Sequence, residues 1–205
     1  MSIKETNTDT IRAVCVYCGS SPGNNAAYVE AGEQLGRALA ASGLALIYGG
    51  GTSGVMGAVA RGTLNVRGQV SAIIPRFLLN RESTMDALTM LEDLTITETM
   101  HERKQKMFER ADAFVVLPGG IGTVDETMEI MTWCQLGRHR KPMVLVNVKR
   151  FWDPMLTMLD HMRRAGFIHS GHLLQPIVVD RVDDVIPAIV AAAPAAAYRR
   201  SLLQP

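Results

Sequence analysis

Pro118 to Glu126 reads P-G-G-I-G-T-V-D-E. Glycines at 119, 120 and 122 give the backbone the freedom to aim several N–H groups at one anion. Thr123 adds a hydroxyl donor, and a helix expected to begin near Thr123 brings the positive end of its dipole to the same point. That is phosphate-binding chemistry, yet the carboxylates of Asp125 and Glu126 follow at once. Glu126 lies four residues beyond Gly122, roughly 6 Å along a helix axis at about 1.5 Å per residue. This is on the order of the span from a nucleotide's 5′-phosphate to its anomeric carbon. The loop then suits the phosphate and Glu126 the ribose, so cradle and acid serve different atoms of one molecule. A plainer reading competes: Thr123-x-x-Glu126 is also a capping box, which stabilises a helix start without any ligand. On this motif alone the cap is favoured.

A second cluster, T-M-H-E-R-K from Thr99 to Lys104, shifts the balance. Arg103 and Lys104 fall near the start of a charged helix, where cations oppose the macrodipole. As a merely solvated face, the helix would pair Glu102 with Lys106 at i,i+4. M-H-E-R-K, then P-G-G-I-G-T-V-D-E, then T-W-C-Q-L-G together resemble the LONELY GUY family, the cytokinin riboside 5′-monophosphate phosphoribohydrolases often labelled lysine decarboxylases. The resemblance runs from about Val14 to Val179 and includes C-G-S-S and Y-G-G-G. It implies that Arg103 and Glu126 are the catalytic pair. It implies substrate contacts from Glu82, Arg103, Lys104, Gly120, Ile121, Gly122, Thr123, Val124, Asp125, Glu126 and Thr132. It also implies a homodimer with the site near the subunit interface, and no cofactor.

The activity implied is hydrolysis of the N-glycosidic bond of an adenosine or N6-substituted adenosine 5′-monophosphate, giving free base and ribose 5-phosphate. Such cleavage passes through an oxocarbenium-like ribose that a nearby carboxylate can stabilise, or for which it can activate water. An ordinary Glu titrates near ~4.3, and a helix N-terminus favours its ionised form. Glu126 is therefore expected to be a poor proton donor to the departing base. An arginine guanidinium keeps its proton, so Arg103 is assigned to orientation and charge stabilisation, and the proton donor is left unassigned. Two other functions fit a phosphate-holding loop. A pyridoxal phosphate decarboxylase would need Lys104 as its Schiff base, and a nucleotide or cofactor carrier or sensor would bind without releasing a base.

The remaining motifs point away from other chemistry. Gly49 to Gly54, G-G-G-T-S-G, satisfies G-x-G-x-x-G between a strand and a helix, but a dinucleotide site needs an acid at the end of the next strand. No Asp or Glu occurs between Glu33 and Glu82, and that strand ends in Ile74-Pro75-Arg76. These glycines are expected to allow close packing and sharp turning beneath the neighbouring loop. Cys15 and Cys18 form C-V-Y-C inside a strand, not at the helix N-terminus a redox pair requires, and His169 and His172 stand without zinc-ligand spacing. Buried reduced thiols and no metal are expected.

The elements that must position these groups follow from the pattern. Short apolar runs at Ala13–Tyr17, Leu44–Tyr48, Val70–Ile74, Ala113–Leu117, Met143–Val148 and Ile177–Val179 alternate with helical stretches, with a short extra strand at Asp93–Thr97. This alternation predicts a Rossmann-like, doubly wound α/β domain with a mainly parallel sheet covered on both faces. Ligands of such folds sit at the carboxyl ends of the strands. Gly19 and Ser20 after the first strand, and Gly50 and Gly51 after the second, are thus further phosphate-loop candidates. The 205 residues are expected to form one domain, with loose tails at 1–10 and from about 194 to 205. With 47% apolar residues, 20% charged residues and a net charge of +1, nothing points to nucleic acid or a membrane. A cytosolic protein is expected.

Overall fold

The computed structural model describes residues 11–79, 81, 88, 91, 93–168 and 176–201. Glu82, His169, His172 and the expected tail at 1–10 lie outside the described residues. Strands β1 (Ala13–Tyr17), β2 (Ala45–Tyr48), β3 (Val70–Pro75), β4 (Asp93–Thr97), β5 (Ala113–Val116), β6 (Met143–Val146) and β7 (Ile177–Val179) alternate with helices. The helices are α1 (Ala26–Ala41), α2 (Gly54–Leu64), α3 (Met100–Arg110), α4 (Ile121–Gln135), α5 (Asp153–Arg164) and α6 (Val185–Ser201). The strands form one sheet in the order β4-β3-β2-β1-β5-β6-β7, and every described pair is parallel.

Strand alternation sorts the core onto two faces. Val14, Val16 and Cys18 join a cluster with Leu35 and Leu39 of α1, Val55 and Val59 of α2, and Val185 and Ile189 of α6. Cys15, Tyr17 and Phe114 face the other way, toward Met107 of α3, Ile130 and Met131 of α4, and Met155 and Leu159 of α5. Helices α1 and α2 meet with their backbones almost in contact. A Cβ on Gly36 would fall 2.2 Å from the Val59 carbonyl oxygen, so bulk at that position would separate the layer.

Chain direction reverses its progress across the sheet at β1, which has β2 on one side and β5 on the other. The crevice where ligands of open α/β sheets bind therefore lies between the loops that follow β1 and β5. Helix α1 ends where glycine predicts, with Gly43 at φ +68°. Helix α6 runs on to Ser201, where a tail from about residue 194 was expected.

Candidate active site

A side-chain helix cap does form, but not at Thr123. Thr99 caps α3 by accepting the Glu102 N–H at 3.1 Å, and the Glu102 carboxylate accepts the Glu98 N–H at 3.0 Å. This start fixes the phase of α3 and turns Arg103 inward, where it is 4% exposed. Its Nε donates to the Ile73 carbonyl oxygen at 3.2 Å, and its Nη1 donates to Glu126 Oε1 at 2.5 Å. Lys104, next along the helix, points elsewhere. It pairs with Asp125 at 3.2 Å and Glu129 at 3.1 Å. Partial burial pulls its pKa down, but those two carboxylates outweigh the burial and hold it above the ordinary lysine value.

Helix α4 begins at Ile121, two residues before the expected Thr123, with Gly120 as its N-cap and no side chain bonded across the cap. Thr123 and Glu126 consequently sit inside the helix, and the capping box read there does not exist. Thr123 is buried against Gly119, whose added Cβ would lie 2.1 Å from the Thr123 hydroxyl oxygen. Glu126 is 6% exposed. Burial raises its pKa above the ordinary carboxylate value; Arg103 opposes that rise by charge and hydrogen bond, while Asp125 adds to it. Burial therefore acts on Glu126 against the ionised form that a helix N-terminus alone would favour.

The pair lines a cavity of about 290 Å³. Gly19, Ser20, Arg103, Gly120, Ile121, Gly122, Thr123 and Glu126 line it, together with Cys18, Met56, Leu78 and Met100. Two loops build its rim. The Gly19 N–H donates to the Pro118 carbonyl at 3.1 Å, and the Met56 N–H donates to the Gly19 carbonyl at 2.9 Å. A second cavity of about 370 Å³ shares Gly19, Ser20 and Gly120, and continues on the far side toward Tyr28 and Phe151. A Cβ added to Gly120 or Gly122 would meet nothing within 4 Å. Packing within the chain therefore does not require glycine at either position, whereas a ligand approaching the main chain would.

Other residues singled out from the sequence lie off the cavity wall. Val124, half-buried, packs against the core, Asp125 faces Lys104, and the Thr132 hydroxyl donates to the Met128 carbonyl at 2.7 Å. Gly50 turns the chain over Ile74 at φ +82°, and the Gly51 N–H donates to Met56 Sδ at 3.1 Å. Gly54, at φ +61°, would place a Cβ 2.4 Å from the Ser20 carbonyl oxygen. The G-G-G-T-S-G stretch thus supports the neighbouring loop, as expected. Met56, Leu78 and Met100 were not singled out, and Cys18 was read only as a buried thiol. Cys18 had a usable signal, opening the loop that follows the first apolar run; burial, then the Glu126 charge, push its thiol pKa well up.

Among the described residues, no group of three or more His, Cys, Asp or Glu is placed to hold a metal ion, and no helix is long and apolar enough to cross a membrane.

Residues 56–189 match the family model described as possible lysine decarboxylase. The chain is 43% identical over 157 residues to the cytokinin riboside 5′-monophosphate phosphoribohydrolase LOG of Oryza sativa subsp. japonica, across 77% of this chain and 64% of that one. It is 39% identical over 181 residues to the cytokinin riboside 5′-monophosphate phosphoribohydrolase of Rhodococcoides fascians, across 88% of this chain and 90% of that one. The molybdenum cofactor carrier protein of Chlamydomonas reinhardtii superposes with a TM-score of 0.67 at 18% identity, over 90% of this chain and 99% of the other. That last likeness is one of fold.

Proposed function

The chain belongs to the LONELY GUY family of cytokinin riboside 5′-monophosphate phosphoribohydrolases, and on that premise we propose that it hydrolyses the N-glycosidic bond of adenosine or N6-substituted adenosine 5′-monophosphates. The products are the free base and ribose 5-phosphate. The observation that carries this reading is the buried Arg103–Glu126 pair lining the same cavity as the uncapped start of α4.

The main-chain N–H groups of α4's first turn hold the 5′-phosphate, since no side chain bonds across the cap and the helix dipole favours an anion there. The missing side chains of Gly120 and Gly122 let the phosphate reach the backbone. Glu126 then faces the ribose. Water oxygen bonds to the anomeric carbon as the carbon–nitrogen bond breaks with its electron pair leaving on the base. Glu126 takes the water proton and stabilises the cationic ribose. The base must gain a proton, and a carboxyl with a raised pKa can hold and return one where an ordinary glutamate could not. Arg103 keeps the carboxylate aimed and offsets its charge between these steps.

The decarboxylase in the family model's description sits badly with Lys104. A Schiff-base lysine must be free to lose its proton, and Lys104 is held protonated by Asp125 and Glu129. The same reading makes the protein a cytosolic homodimer. In support, Cys15, Cys18 and Cys134 form no disulfide. Ile121 (90% exposed) and Leu136 (70% exposed) leave apolar surface at either end of α4 for a second copy to cover. Light scattering reads the assembly. Activity is tested by incubating the protein with AMP and with isopentenyladenosine monophosphate and quantifying base and ribose 5-phosphate. Equal amounts of both products from either nucleotide sustain the reading; tight nucleotide binding with no base released moves it to a carrier.

A further inference from the structure

Gly49 ends the run that begins as β2, and it is buried. Its φ is not in the left-handed region that favours glycine, so its backbone conformation admits any residue. What excludes a side chain is one neighbour. A Cβ built on Gly49 would lie 2.1 Å from Arg103 Nη2, while the next atoms, Arg103 Cζ and Met56 Sδ, are at 3.3 Å. Gly49 does not line the cavity. We propose that Gly49 is a positioning residue, whose missing side chain forms the seat of the Arg103 guanidinium and so holds it on Glu126.

The guanidinium is then fixed on three sides. Ile73 of β3 accepts from Nε at 3.2 Å, Glu126 of α4 accepts from Nη1 at 2.5 Å, and the Gly49 backbone closes the third side against Nη2. A methyl group at position 49 must displace something, and the arginine side chain yields before the sheet does. Its displacement breaks the contact with Glu126 and leaves a buried carboxylate without its counter-charge. Asp125, Lys104, Cys15, Tyr17 and Cys18, which also act on or feel Glu126, keep their places. The glycine following β2 thus serves catalysis through Arg103 without touching the nucleotide.

This inference rests on the phosphoribohydrolase reading for its kinetic arm alone. The test compares wild type, Gly49→Ala, Arg103→Ala and the double variant. Displacing a catalytic group by about 1 Å costs on the order of a hundredfold, so Gly49→Ala is expected to lower kcat by about that factor while KM changes less. The acid limb of the pH–rate profile should also move to higher pH. In thermal melting, Gly49→Ala should lower Tm when Arg103 is present, but add no loss to Arg103→Ala, where the space is vacant. Gly49→Ala failing to fold while the double variant folds supports the same seat. The proposal is overturned by wild-type kcat and pH profile in Gly49→Ala, or by an equal Tm loss in both backgrounds. It is equally overturned if the double variant cannot fold while Arg103→Ala can. Should the wild type hydrolyse no nucleotide, the functional reading fails, and the melting comparison alone decides the seat.

Discussion

Arg103 Nη1 and Glu126 Oε1 lie 2.5 Å apart on neighbouring helices, each residue less than a tenth exposed. A pair so enclosed is weak grounds for stability, because desolvating two charges offsets most of their attraction, and removing one partner leaves the other stranded. Its position on the cavity wall gives it a chemical role that packing alone would not require.

Glu126→Gln is expected to lower kcat by about 10²–10⁴-fold, the usual worth of a positioned proton-transfer group, with a much smaller change in KM. Since Glu126 takes no part in capping α4, the loss cannot be ascribed to a frayed helix start. Steady-state release of base, with circular dichroism to verify folding, checks this. Retention of wild-type kcat would remove Glu126 from the mechanism.

The raised pKa of Glu126 fixes a sign. The acid limb of kcat/KM should have its midpoint above 4.5, the ordinary value for this carboxyl, because the carboxylate form must accept the water proton. The stability effect runs opposite to that of a salt-bridged surface acid. Between the unfolded and folded pKa values the native state binds more protons than the unfolded chain. This residue's contribution is therefore greatest at and below the unfolded pKa and declines as pH rises through the folded one. Glu126→Gln should flatten that component of a melting-temperature series against pH.

Two glycines of one loop should respond oppositely. Gly122→Ala meets open space and should melt within about 1 kcal/mol of wild type, yet raise KM about tenfold or more by keeping phosphate off the main chain, since one charge-assisted hydrogen bond is worth roughly 1.5–3 kcal/mol. Gly119→Ala collides with the Thr123 hydroxyl and should destabilise by about 1–3 kcal/mol, the usual cost of overpacking. Paired calorimetry and kinetics on the two variants separate cradle from scaffold.

Lys104→Ala should leave base release within a few-fold of wild type and cost no more than about 1 kcal/mol, as for a partly exposed ion pair. Incubation with pyridoxal phosphate and borohydride should attach no pyridoxyl group to Lys104, which mass spectrometry of the tryptic peptide reads directly. Labelling at that residue would revive the decarboxylase.

Much of this architecture follows from local rules. Gly43 stops α1 where a left-handed residue is cheapest, and the apolar run from Ala13 fixes both faces of β1 by simple alternation. Helix α4 was misplaced by two residues because Thr123 has the side chain of a cap, whereas the cap itself is the uninformative Gly120. The deep position of Glu126 was not readable at all. It depends on α3 and α4 meeting on one face of the sheet, and propensity at residue 126 carries no trace of that encounter. Arg103 and Glu126 were named as a pair by resemblance to a family, and the hydrogen bond between them is something only packing could supply. Close packing was expected of the glycines after β2, with Gly50 and Gly51 also offered to a phosphate, but the arginine for which Gly49 leaves room was 54 positions away (103 − 49 = 54).

The bond from the Gly19 N–H to the Pro118 carbonyl joins main chain to main chain along the wall between two cavities. No side chain takes part, so most point mutations at Ser20, Ser21 or Asn24 leave it standing. What it cannot absorb is a change of length. One residue inserted or deleted between Gly19 and Asn25, or between Val116 and Gly120, shifts the stitch out of alignment and distorts both chambers at once. Variation at this end of the sheet is therefore open to substitution and closed to insertion, and an attempt to widen the enzyme's substrate range should exchange side chains around the rim while keeping the residue count of both loops unchanged.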